Sequence, residues 1–72
     1  MKLIEGLKNT VYTVSGMDLP LKTERRLETL GMVHGARITL LNKKNSALVV
    51  AVRGARFALG REVAKHIEVK IS

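Results

Sequence analysis

The pattern of hydrophobic and polar positions changes along this chain, from β-branched and apolar runs through one segment of helical period to a last segment that alternates with a period of two. Residues 10–15, T-V-Y-T-V-S, are rich in β-branched side chains and predict a strand. Residues 16–18 interrupt it. Pro20 suits a first helical turn, and a helix is expected from there to about Leu30. At about 100° per residue, Thr23, Leu27 and Leu30 share one face of that helix. Lys22, Arg25 and Arg26 fall on a second face, and Glu24 and Glu28 on a third. The charges are therefore sorted into basic and acidic flanks beside an apolar stripe.

The stretch 26–35, R-L-E-T-L-G-M-V-H-G, predicts how the helix stops. Gly31 stands where a left-handed capping residue is needed, a conformation glycine adopts without steric cost. Met32 falls two past the helix end, where an apolar side chain packs back on Leu27 in a Schellman arrangement. Gly35 permits the next turn. Residues 36–41 predict a strand, and 42–46, N-K-K-N-S, a polar turn. Residues 47–52, A-L-V-V-A-V, are almost wholly apolar and predict a central strand covered on both faces. The Gly54-Ala55 pair marks a short turn into a paired strand at 56–59. Residues 60–66 read as a short helical or 3₁₀ segment with Val63 and Ala64 inward. Ile67, Val69 and Ile71 alternate with Glu68, Lys70 and Ser72, the pattern of a last half-exposed strand. Residues 3–8 are expected to be irregular, with Leu3, Ile4 and Leu7 covering one end of the core.

Five short strands with one helix after the first are too few for a sandwich. A mainly β fold follows, a small SH3-like barrel with one inserted helix and a short C-terminal helical turn, in a single domain over 1–72. Closure of such a barrel removes exposed edges. An OB-like barrel is the alternative, although its helix more commonly sits between later strands.

Composition narrows the chemistry. With 72 residues the core is small, and with one Phe, one Tyr and no Trp it must be aliphatic. A deep catalytic cleft beside such a core is not expected. The absence of cysteine excludes disulfides and thiolate metal sites. Residues 1–6 carry no long apolar run of the kind a signal peptide needs. Nor does any stretch approach the roughly 20 apolar residues that span a bilayer. A cytoplasmic protein is expected. Thirteen Lys and Arg against six Asp and Glu give a formal net charge of +7, which suits either an anionic partner or a solubilising surface.

Three segments in order resemble the FeoA family of small ferrous iron transport proteins: R-L-E-T-L-G-M-V-H-G at 26–35, V-R-G-A-R-F-A-L-G at 52–60 and V-A-K-H-I-E-V at 63–69. The chain is also similar to the SH3-like domain that ends some metal-dependent bacterial repressors. The resemblance covers nearly the whole chain. It implies an SH3-like barrel, no enzymatic activity, and a role beside the large membrane transporter FeoB with its cytosolic GTPase domain. It also implies a link to transition-metal binding. Two departures stand out. His34 replaces the proline the family usually has before Gly35, and the 42–46 turn lacks the Gly-Asp-Pro type of element many members carry.

The residues themselves offer little for catalysis or metal ligation. Ser15, Ser46 and Ser72 lie in no Gly-x-Ser-x-Gly context. His34 and His66 are far apart in sequence, with Asp18, Glu28 and Glu62 as possible oxygen ligands, and no close ligand pair of the structural zinc type exists. Glu62 and His66 at i,i+4 read as a surface pair. Met17 and Met32 fit core gaps as well as a soft ion. Gly60-Arg61 before a short helix has no phosphate-binding fingerprint. No cofactor and no metal site are expected.

Binding is the better prospect. Arg37, Lys43, Lys44, Arg53, Arg56 and Arg61 offer a basic barrel face, but Tyr12 and Phe57 are too few to build a stacking platform for nucleic acid. A protein partner fits better. Lys22, Arg25 and Arg26 beside the apolar stripe would meet an acidic surface, with Met17, Leu19 or Leu21 as an apolar anchor. The expected partner-binding residues are Met17, Lys22, Arg25 and Arg26, and the expected structural turn and cap residues are Gly31, Gly35 and Gly54. The reading is an accessory module that docks on a FeoB-like transporter and supports or tunes uptake. The alternatives are a basic nucleic-acid-binding barrel and a metal-sensing accessory domain.

Overall fold

A computed structural model describes all of residues 1–72. A 3₁₀ turn (Leu3–Glu5) precedes β1 (Thr10–Met17), α1 (Leu21–Thr29), β2 (Arg37–Lys43), β3 (Ala47–Val52), β4 (Ala55–Gly60), α2 (Arg61–Ala64) and β5 (Ile67–Ile71). The strands form one antiparallel sheet in the order β4-β3-β2-β1-β5, curled around a single core in the SH3-like manner. Leu3, Tyr12, Val14, Ile38, Leu40 and Val50 are among the side chains that fill it, with Met32 and Ile67 also sealed from solvent. No buried side chain is polar or charged other than the Tyr12 phenol, whose hydroxyl accepts from the Leu7 N–H at 2.7 Å. No helix is long and apolar enough to cross a membrane.

β1 runs two residues past the expected end at Ser15. A bulge lets it do so: Val14 pairs with Val69, Gly16 with Glu68, and Ser15 is left over. The extra residue resets the alternation, so Gly16 and Met17 stay in the ladder. A second bulge between Leu40 and Asn42 carries β2 on to Lys43.

β3 occupies the expected residues and is hydrogen-bonded on both sides, yet it is covered on only one face. Leu48, Val50 and Val52 are buried, while Ala47, Val49 and Ala51 remain half-buried. The sheet wraps one core, and its other face meets solvent, so small apolar residues there need no covering layer.

Three apolar residues expected inside lie outside. Leu7 is 70% exposed, because the bond from its N–H to Tyr12 turns the backbone inward and the side chain out. Ile71 is 75% exposed at the end of edge strand β5. Leu30 is 42% exposed, because it is the C-cap of α1 and the chain reverses immediately after it. Met32 enters the core in its place. The helix also starts one residue later than expected. Pro20 is its N-cap, and its carbonyl accepts the first helical bond from Glu24 N–H at 3.0 Å.

Candidate functional site

The end of α1 sets the geometry of a groove on the surface. Gly31, at φ +95°, sends its N–H to the Glu28 carbonyl, and the Met32 N–H reaches back to the Leu27 carbonyl, both at 3.0 Å. These two bonds are the Schellman pair, and both Leu27 and Met32 are buried. The chain then crosses to β1, where Gly35 N–H donates to the Val14 carbonyl at 2.8 Å and Val14 N–H to the Ala36 carbonyl at 2.9 Å. A groove of about 200 Å³ is left between helix and strand. Val14, Gly16 and Met17 form its β1 wall, Glu24 and Glu28 its α1 wall, and Met32 to His34 its end.

The groove gathers residues of opposite expectation. Met17 lines it and packs against the core. Lys22, Arg25 and Arg26 are exposed and do not line it, since the acidic flank of α1 faces the groove instead. Leu21 is exposed on α1, whereas Leu19 is half-buried against the core. Gly35 and Gly54, at φ +89° and +81°, hold turns that a side chain would strain. The acidic groove was not evident in the sequence. Its only signal was the third helix face, Glu24 and Glu28, which spacing alone could not aim at β1.

His34 shares the groove with the two carboxylates, but no three His, Asp or Glu side chains converge closely enough anywhere to hold a metal ion. The donors present therefore do not build the metal site to which the family resemblance is linked. At the other end of the chain, Glu62 does not pair with His66 as the i,i+4 spacing suggested. It pairs with Lys65 at 3.1 Å instead, one residue closer along the chain.

Ion pairing elsewhere is sparse. Glu68 takes the Lys2 ammonium at 3.6 Å and the terminal amine at 3.9 Å. Of the thirteen Lys and Arg side chains, only Lys2 and Lys65 have an ion-pair partner. The other eleven carry no ion pair.

Known proteins resolve the family. An FeoA protein from Chlorobium tepidum superposes with a TM-score of 0.92 at 29% identity, over 99% of this chain and 70% of that one. An iron uptake regulatory protein (FeoA) matches with a TM-score of 0.88 at 24% identity, over 97% and 95% of the two chains. The metal-dependent repressor IdeR of T. acidophilum shares the fold, with a TM-score of 0.90 at 18% identity over 100% of this chain and 34% of that one. No curated protein sequence matches. The FeoA domain model matches residues 1–71, so the chain belongs to the FeoA domain family, whose members are accessory or regulatory domains tied to ferrous iron transport.

Proposed function

We propose that this protein docks on the cytosolic, GTPase-bearing part of a FeoB-type ferrous iron transporter through α1, and shifts the transporter between its states. Family membership supplies the setting. The observation that carries the docking face is the unpaired basic flank of α1: Lys22, Arg25 and Arg26 are exposed and form no ion pair. Leu21, 60% exposed beside them, is the apolar anchor such a contact needs. Met17, at the junction of β1 and α1, backs the same helix from the groove. Docking changes transport only if the two transporter states bind this face unequally.

Charge reversal tests the face directly. The double variant Arg25→Glu with Arg26→Glu leaves the core untouched, because both side chains are exposed. Calorimetric titration against the purified GTPase region is expected to show about a tenfold loss of affinity, equivalent to about 1.4 kcal/mol. Unchanged affinity, with an unchanged circular dichroism spectrum, removes this helix face from the model.

A further inference from the structure

We infer that Arg37, Arg53 and Arg56 form a second recognition surface, distinct from the Lys22, Arg25 and Arg26 flank of α1, that takes the carboxylates of an acidic segment of a partner protein. No Asp or Glu occurs between Glu28 and Glu62, so β2, β3 and β4 are free of negative charge. The six basic residues in that span are not equivalent. Lys43 Nζ donates to the Gly6 carbonyl at 3.1 Å, and an Arg61 guanidinium nitrogen to the Lys44 carbonyl at 3.2 Å. Arg37, Arg53 and Arg56 are exposed and have neither an ion-pair nor a hydrogen-bond partner.

Strand register brings these three together. Ala51 lies opposite Thr39 on one side and Arg56 on the other. Arg53 follows β3 in the turn to β4, two residues on from Ala51, and Arg37 stands on β2 two residues back from Thr39, so both lie toward the same end of the sheet as Arg56.

Arg53 carries the second observation. The hairpin between Val52 and Ala55 has two central residues, Arg53 at φ +51° and Gly54 at φ +81°. Both positive angles belong to the type I′ turn, whose first position favours Asn and Gly and strains an arginine. Its stem lies over Gly31, with Cδ 3.4 Å from where a Cβ on that glycine would stand. A strained residue with an unpartnered charge fits a recognition role better than a purely structural one.

The partner chemistry follows from what surrounds the arginines. A planar guanidinium grips a carboxylate through two parallel hydrogen bonds. Nucleic acid would need stacking surfaces, but Tyr12 is 1% exposed and Phe57 packs on the core. A lipid surface would need an apolar side chain to insert, and Thr39 and Ala51 are too short for that.

The test uses the full chain, with a short fluorescent peptide of alternating Glu and Ser as probe at physiological salt. The Arg53→Asn variant is expected to raise the melting temperature by about 4 °C as turn strain is relieved, while peptide affinity falls about tenfold. The Arg53→Lys variant keeps the stem, the charge and the strain, so its melting temperature stays put while affinity falls several-fold with the loss of the planar fork. A lower melting temperature for Arg53→Asn makes the residue structural and overturns the proposal. So does wild-type peptide affinity in Arg53→Lys. Tighter binding of oligothymidylate or phosphatidylglycerol vesicles than of the peptide overturns the carboxylate assignment.

Discussion

Two glycines in one loop separate backbone strain from crowding. Gly31 and Gly35 both have positive φ, but a Cβ on Gly31 would sit 3.0 Å from Val52 Cγ1, whereas one on Gly35 meets nothing within 4 Å. Gly35→Ala is expected to cost about 1 kcal/mol, the strain of a left-handed residue alone. Gly31→Ala adds overpacking and is expected to cost about 3 kcal/mol. Urea unfolding of the two variants checks the difference, and equal losses would show that Val52 yields without cost. Tyr12→Phe removes the acceptor of the Leu7 N–H and is expected to cost about 1–3 kcal/mol by the same measurement. The Gly31 cap was legible because glycine, spacing and the following Met32 all point the same way. The Tyr12 hydroxyl was not, since no pattern of residue types tells which amide a buried phenol will find. That one bond is also why Leu7 was misplaced.

Strands and helix differ in how firmly they are held. β1, β2 and β3 each pair on both sides and contribute half of the core. α1 buries only Leu27. Amides of α1 are therefore expected to exchange with solvent faster than those of β1 to β3, by local opening rather than global unfolding. Leu27→Ala should widen that gap and lower stability by about 2–3 kcal/mol. Native-state hydrogen exchange reads both, and equal protection of α1 and β2 would contradict them. The apolar run placed β3 on its exact residues, because it is bounded by polar turns. Residue pattern failed at the end of β1, because a bulge adds one unpaired residue and leaves no mark in composition. Coverage of β3 was overestimated for a related reason: an apolar run reports pairing on both edges as readily as burial on both faces.

At the scale of the molecule, charge is the main feature that sequence and structure share. A net +7 was legible at once, but not its arrangement. Folding leaves Glu24 and Glu28 lining a groove, and leaves the α1 flank and the β2–β4 arginines unpaired. Register and helix orientation decide this, and neither can be read from residue counts. Binding through such unscreened cations is expected to weaken steadily as salt rises past physiological strength, and titrations at two ionic strengths check it. A salt-independent affinity would point to the exposed apolar side chain of Leu21 instead. The family ties the chain to ferrous iron transport. The most direct test of the docking account is an amide NMR titration of the labelled protein with the isolated GTPase region of a FeoB-type transporter, at physiological salt. The account predicts shifts concentrated in Met17 and α1, centred on Lys22, Arg25 and Arg26. Shifts confined to other surfaces, or none at saturating partner, would contradict it.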